Sequence, residues 1–130
     1  MSHRIVIAPR DDGSMLIRTW SFDTVTIVDM HGRLDVESGS ALREALCEIV
    51  APGRRCVVLN LLGIIGIDAA GLGALAEAFT LAQATGVDLR IVVRSEANRE
   101  LLKRTHLIGV IPTVTTEAEA IASFEAAPSR

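Results

Sequence analysis

The stretch GIDAAGLG, residues 66–73, decides how the rest of this 130-residue chain is interpreted. It follows CVVLNL at residues 56–61, an apolar run typical of a buried strand. Beyond it, apolar residues recur at helical spacings of three and four, at Leu72, Leu75, Ala76, Phe79 and Ala82. Asp68 is a residue type that caps a helix by accepting from the free amides of the first turn. The stretch therefore predicts a strand, a glycine-containing loop and a helix that begins after Asp68.

The predicted tip of this helix has a geometry suited to binding but no reactive group. An exposed helix N-terminus receives an anion or a polar partner through its free amides. The helix opens on Ala69 and Ala70, and neither side chain carries a hydroxyl. The tip therefore offers no nucleophile and no phosphate acceptor.

Composition sets the broad class. A chain of 130 residues that is 49% hydrophobic is long enough for one domain with a real core. Its net charge of -3 gives no basic footprint for nucleic acid. No apolar run approaches the ~20 residues that cross a bilayer, and the N-terminus lacks the apolar region of a signal peptide. We therefore expect a cytoplasmic protein that binds neither nucleic acid nor membrane.

The cysteines and histidines indicate no metal site. Cys47 and Cys56 fall in predicted regular structure and are interpreted as small buried hydrophobes in a reducing compartment. The histidines are scattered along the chain, whereas a zinc site needs ligands in close pairs; they are His3, His31 and His106. No metal or cofactor is expected.

The order of predicted elements favours an α/β fold. Three short strands come first, at residues 4–8, 15–20 and 25–30, the last ended by His31-Gly32. Strands and helices then alternate: a helix capped by Ser38 or Ser40, a strand at 56–61, the helix after Asp68, a strand at 89–93, a helix capped by Ser95, a strand at 111–114 and a helix capped by Thr116. This order predicts one domain with a mixed β-sheet packed with about four helices. We assign residues 1–14 to a strand-and-turn extension, 15–126 to the domain and 127–130 to a frayed tail.

Three phosphate-site interpretations overlap at the glycine cluster, and each has a weakness. Gly66 and Gly71 fit half of a P-loop, but Leu72 and Gly73 stand where Lys and Ser/Thr are required. The spacing from Gly71 to Ala76 matches a dinucleotide fingerprint, with Arg94 after the next strand, but about nine residues separate it from the preceding strand. A receiver domain needs an aspartate at the end of the central strand, and Asn60 stands there.

Other polar residues have simpler explanations. Glu44 and Glu48, one turn apart, favour a solvated helix face over paired catalytic acids. The basic group near the end of a later helix favours dipole compensation; it consists of Arg99, Lys103 and Arg104. Trp20 and Phe22 fit either a core edge or an exposed patch. Asp35 follows a strand and is interpreted equally well as a turn residue or as a neighbour of the Asp68 tip. No catalytic triad is present, so no enzyme is expected.

The motifs in this order closely resemble the STAS domain and, more narrowly, bacterial anti-sigma factor antagonists. They are GRLD at residues 32–35 after a strand, VVLNL at 57–61 and IDAAGLG at 67–73. A later strand at 89–93 and the segment from Leu101 to Leu107 extend the resemblance, which covers about Met15 to Phe124. The motifs are specific because they recur in order at suitable separations.

The resemblance implies a compact α/β domain that binds an anti-sigma factor of the histidine-kinase-like ATPase type and so frees a sigma factor. In the family, the partner kinase inactivates the antagonist by phosphorylating a serine in an Asp-Ser-(Ser/Thr)-Gly motif. By position, the aspartate is Asp68, the acceptor serine falls on Ala69, the next hydroxyl falls on Ala70 and the glycine is Gly71. Regulation by phosphorylation at this tip is therefore not expected.

The functional hypothesis is a non-enzymatic antagonist whose tip meets the partner. Small residues let a partner backbone approach closely, and the helix N-terminus adds polar complementarity. Two alternatives stay open: a nucleotide- or small-molecule-sensing STAS module that uses the same amides, and a scaffold subunit of a signalling assembly. The oligomeric state also stays open, with a homodimer as one alternative. The predicted partner-binding residues are Asp35, Asp68, Ala69, Ala70, Gly71 and Gly73.

Overall fold

The computed structural model describes residues 2–7, 15–22, 25–35, 43–44, 56–104 and 113–126. Over these residues the strands are β1 (Ser2–Ile7), β2 (Met15–Phe22), β3 (Val25–Leu34), β4 (Cys56–Ile67), β5 (Asp88–Val92) and β6 (Thr113–Val114). The helices with described bounds are α1 (Ala69–Thr85), α2 (Glu96–Arg104) and α3 (Glu117–Ala126). Arg43 and Glu44 are also helical, as predicted, and the rest of the helix predicted there lies outside the described residues.

The described strands form one mixed sheet in the order β1-β2-β3-β4-β5-β6. The pairs β1–β2 and β2–β3 are antiparallel, and the pairs from β3 to β6 are parallel. The mixed α/β class predicted from the order of elements is confirmed. The predicted N-terminal extension contributes β1, the edge strand next to β2.

Each face of the sheet has its own apolar cluster. The larger cluster lies under α1 and α2 and includes Val28, Leu59, Leu75 and Leu102. The smaller one lies under α3 and includes Ile27, Val58, Val92 and Ala120, with Trp20 and Cys56 packed at its edge. Alternation along the strands produces this division because successive side chains of a strand point to opposite faces. Trp20 is therefore a core-edge residue, and Cys56 is half-buried rather than fully buried.

The ends of β3 and β4 differ from the prediction. β3 continues through His31-Gly32 to Leu34, and β4 continues through the predicted glycine loop to Ile67. The predicted loop was wrong because these extensions pair with each other, for example Leu34 with Ile67. Pairing satisfies backbone amides and carbonyls that would otherwise need other partners.

The pairing of β3 with β4 is irregular. From Asp29 to Leu34 β3 advances five residues, while β4 advances seven, from Asn60 to Ile67. Two β-bulges absorb the difference, at the register shifts between Asp29 and His31 and between Gly32 and Arg33. Gly32 has a φ of 114°, a conformation that L side chains rarely adopt. The bulges therefore set which residues of β4 face the core and which face solvent.

Three of the predicted helix caps are confirmed, and the cap predicted at Ser38 or Ser40 lies outside the described residues. Asp68 caps α1, Ser95 Oγ accepts from the Asn98 amide at the start of α2, and Thr116 Oγ1 accepts from the Glu119 amide at the start of α3. Glu119 in turn accepts from the Thr115 amide at 2.9 Å and from the Thr115 hydroxyl at 2.8 Å. These hydrogen bonds, led by the one from the backbone amide of Thr115, lower the pKa of the Glu119 carboxyl below its usual 4.5.

Candidate functional site

The paired ends of β3 and β4 bring the two predicted acidic residues to one edge of the sheet. Leu34 pairs with Ile67, and the Asp68 amide donates to the Leu34 carbonyl oxygen at 3.2 Å. Asp35 and Asp68 follow these partners directly, and both line a depression of about 290 Å³. The structure thus places Asp35 beside the Asp68 tip. The depression is also lined by Arg33, Leu34, Gly66 and Ile67.

Asp68 organises the start of α1. Its backbone is extended, and its Oδ1 accepts from the Gly71 amide at 2.8 Å, as an N-cap does. Its carbonyl oxygen accepts from the Leu72 amide at 2.9 Å. Asp68, Ala69 and Ala70 are all exposed, and the first turn of α1 contains no acidic residue. The tip therefore presents small side chains to solvent on a firmly capped helix end.

The two glycines assigned to the tip occupy different environments. Gly71 is buried, and a Cβ added to it would lie 2.1 Å from the Leu34 carbonyl oxygen. Gly73 is exposed, and a Cβ added there would meet nothing within 4 Å. Gly71 therefore lets α1 approach β3, whereas Gly73 belongs to the outer surface.

The phosphate-site interpretations find no matching geometry. Gly66 lies within β4, and Gly71 and Gly73 lie within α1, so none of the three forms a loop between strand and helix. Asn60 is buried. Its side-chain Nδ2 donates to the Glu117 carboxylate, and its Oδ1 accepts from the backbone amide of Leu62 at 2.9 Å. Asn60 thus joins β4 to α3.

A polar cluster lies on the sheet face near this edge. The Asp29 carboxylate accepts from His31 Nε2 at 3.0 Å and lies 3.5 Å from an Arg18 guanidinium nitrogen. The His31 ring crosses the backbone of Gly63, where an added Cβ would lie 2.3 Å from Nδ1. Among the described residues, no group of three or more His, Cys, Asp or Glu side chains is placed to hold a metal ion. The ion pair joins β2 to β3, and the hydrogen bond to Asp29 holds the His31 ring over β4.

The sequence did not lead us to predict two exposed apolar residues near the tip. Leu62 and Ile65 are 41% and 74% exposed, and both lie on the bulged part of β4. The segment LLGIIGI, residues 61–67, does indicate an irregular strand, because two apolar residues and a glycine repeat there in place of regular alternation. Of the described helices, none has the length and apolar character needed to cross a membrane.

The comparison with protein families gives a direct result. The sequence model of the STAS domain matches residues 18–120, which is most of the chain. The chain belongs to the STAS domain family. The matched range runs from β2 into α3 and includes Asp35, Asp68 and the bulged part of β4.

Solved structures share this fold at low sequence identity. An anti-sigma factor antagonist from Mycobacterium paratuberculosis is 23% identical, with a TM-score of 0.77, over 86% of this chain and 95% of that one. The unphosphorylated anti-sigma factor antagonist SpoIIAA, a Bacillus protein, is 16% identical, with a TM-score of 0.71, over 87% and 99%. A sulfate transporter family protein from Wolinella succinogenes is 20% identical, with a TM-score of 0.70, over 78% and 85%. At these identities the likeness shows the fold alone.

Proposed function

We propose that this chain is a non-enzymatic anti-sigma factor antagonist of the cytoplasm. In this proposal it binds an anti-sigma factor of the histidine-kinase-like ATPase type and so regulates transcription that depends on the sequestered sigma factor. Membership of the STAS family and structural likeness to two anti-sigma factor antagonists support this class. The domain that carries the activity spans residues 15–126.

The observation that carries the proposal is the geometry of the Asp68 tip. Ala69 and Ala70 are exposed at the first turn of a capped helix, so a partner backbone can approach without displacing large side chains. The hydrogen bond from the Asp68 amide to Leu34 ties the tip to β3, so little flexibility is lost on binding. Asp35 and Asp68 border the adjoining depression and supply negative charge beside this surface.

In the proposed function, phosphorylation does not regulate this tip. The exposed positions after Asp68 are alanines, and an alanine side chain has no oxygen to accept a phosphoryl group. The antagonist is then competent to bind without a dephosphorylation step. Its activity would be set by its own amount and by the nucleotide state of its partner.

A calorimetric titration tests the proposal. The full chain is titrated with a purified ATPase-type anti-sigma factor from the same organism, first with ADP and then with ATP, and separately with each nucleotide alone. We expect saturable binding to the protein and none to the nucleotides. Binding of nucleotide by the chain alone would favour a sensing module, and absence of binding to any such anti-sigma factor would contradict the proposal.

A further inference from the structure

The bulged part of β4 displays two large apolar side chains that regular pairing would not expose. Between Asn60 and Gly63, β4 has two residues opposite one residue of β3; Leu61 points into the core, and Leu62 is 41% exposed. Ile64 pairs with Gly32 and Gly66 pairs with Arg33, so Ile65 between them has no paired residue on β3. Ile64 is buried, and Ile65 is 74% exposed. Each bulge thus adds one outward apolar residue.

The backbone holds these side chains outward. The Leu62 backbone amide donates to Asn60 Oδ1 at 2.9 Å, and Asn60 Nδ2 donates to the Glu117 carboxylate on α3. The following glycine, Gly63, is covered by the His31 ring, which occupies the position that a Cβ would take. The carbonyl of the buried Ile64 accepts from Asn98 Nδ2 at 3.4 Å. The exposure of Leu62 and Ile65 is therefore built into a fastened strand.

The Asp68 tip by itself lacks the groups that give protein complexes their affinity. Binding energy concentrates in a few large side chains that are buried at the centre of an interface. The exposed residues of the tip are an aspartate, two alanines and a glycine, and their apolar surface is small. Among the described side chains, the exposed large hydrophobic residues are Leu62 and Ile65, and Ile65 is three residues from Asp68 on the same continuous backbone.

We propose that Leu62 and Ile65 are the apolar anchors of the interface with the anti-sigma factor. This inference rests on the proposed function and extends its surface from the tip onto the sheet face along β4. The two residues are three positions apart, which is about 10 Å along the strand at ordinary rise. The partner segment that fits them carries apolar side chains that cover both, while its backbone meets Ala69 and Ala70.

Two substitutions and their conservative counterparts test this inference. Leu62→Ser and Ile65→Thr remove exposed apolar surface, whereas Leu62→Met and Ile65→Val keep it. Affinity for the anti-sigma factor is measured by calorimetry, and the melting temperature of each variant establishes that it is folded. We expect each polar variant to weaken binding by about tenfold or more, and both conservative variants to bind within about threefold of the parent.

The outcomes separate this inference from the proposed function. If the parent binds no anti-sigma factor, the proposed function fails, and this inference fails with it. If the parent binds and the double variant Leu62→Ser/Ile65→Thr binds equally well, the function stands and the anchors lie elsewhere. In the remaining case, Leu62 and Ile65 bind a second copy of this chain. Light scattering on the free parent and the double variant tests this. A dimer that forms in the parent but not in the double variant would overturn the inference.

Discussion

Gly71 lies so close to the end of β3 that an added Cβ would stand 2.1 Å from the carbonyl oxygen of Leu34 and 2.7 Å from its carbonyl carbon. Both atoms belong to the backbone of a buried, paired residue, so they have no freedom to move aside. The contact sets the distance between α1 and the sheet. It therefore also sets where Asp68 and Ala69 stand relative to Asp35.

The stabilities of glycine-to-alanine variants at Gly71 and Gly73 are expected to differ, because the new methyl group meets different surroundings at the two positions. At Gly71 the obstacle is backbone, so Gly71→Ala should destabilise the fold, and Gly71→Val should cost about 1–3 kcal/mol through overpacking. At Gly73 the space is open, so Gly73→Ala should stabilise by roughly 0.5–1 kcal/mol, the usual difference in a helix interior. Chemical denaturation of both variants measures this order, and equal stabilities would contradict the close-approach argument.

Gly63→Ala should fall between these two. The obstacle there is the His31 ring, a side chain that is 43% exposed and free to rotate outward at the loss of its hydrogen bond to Asp29. We expect a loss of about 0.5–1.5 kcal/mol, the net value of such a bond. The double variant Gly63→Ala/His31→Ala should show a coupling energy that cancels most of the loss from the ring clash.

Asn60→Asp should destabilise the domain at neutral pH. The buried Asn60 amide donates to the Glu117 carboxylate, and an aspartate would replace that donor with a second carboxylate. Loss of a buried partner costs about 1–3 kcal/mol, and like charge adds to it. The double variant Asn60→Asp/Glu117→Gln places the donor on the other side of the contact, and denaturation should show recovery. Equal stability of Asn60→Asp and the parent would show that the contact contributes little.

The cap of α3 should weaken in acid. The pKa of Glu119 is lowered in the folded state by its hydrogen bonds with Thr115, so the folded state favours the ionised carboxylate. The stability from this group is therefore present above the unfolded pKa of 4.5 and is lost as the pH falls through the lower folded pKa. Denaturation of the parent and of Glu119→Gln from pH 7 to pH 3 checks the sign. The two curves should converge at low pH.

The sequence predicted the parts of this fold that follow from local chemistry. The helical period after Asp68, the aspartate cap and the caps at Ser95 and Thr116 all hold in the structure. The end of β4 was mispredicted because Gly63 and Gly66 are typical of loops, and because LLGIIGI lacks the alternation of a strand. Only the pairing with β3, more than thirty residues earlier in the chain, makes this segment a strand and turns two of its apolar residues outward.

The candidate site was predictable to a similar degree. Asp35 and Asp68 follow neighbouring parallel strands, and that order brought them together as the sequence suggested. The contact between Asn60 and Glu117 joins residues 57 positions apart, and no local pattern indicates it. The sequence indicated close packing at Gly71 but not whether the neighbour is the strand or the partner, because burial against Leu34 depends on how closely α1 packs against β3. Long-range packing thus decided which tip residues are surface and which are core.

The tip should not be phosphorylated by the anti-sigma kinase. Ala69 and Ala70 offer no oxygen, although they occupy the exposed first turn after Asp68. Mass spectrometry after incubation with the kinase and ATP should find no phosphate on residues 66–73. Ala69→Ser supplies a hydroxyl at this exposed position and should become phosphorylated if the partner docks here. A phosphate on the parent at Thr85 or another hydroxyl would instead show that regulation has moved.

Ala69→Glu should leave the fold intact and lose the partner, while Ala69→Ser, without ATP, should keep both. In the free domain the new carboxylate lies at a helix N-terminus, where the dipole contributes roughly 0.3–1 kcal/mol in its favour. Repulsion from Asp68 opposes this by about 1 kcal/mol at the screening of an exposed surface. These effects nearly offset each other, so the melting temperature should change little.

In the complex the same carboxylate would lose its water without an arranged cation, an effective penalty of several kcal/mol. At about 1.4 kcal/mol per tenfold, the affinity should fall by roughly a hundredfold or more. Ala84→Glu is the matched control, because Ala84 is exposed near the opposite end of α1, fifteen residues from Ala69 and away from both the tip and the bulged part of β4. Calorimetric titration measures the affinity of both variants for the anti-sigma factor. Equal losses would indicate a nonspecific charge effect, and unchanged affinity of Ala69→Glu would place the interface away from this tip.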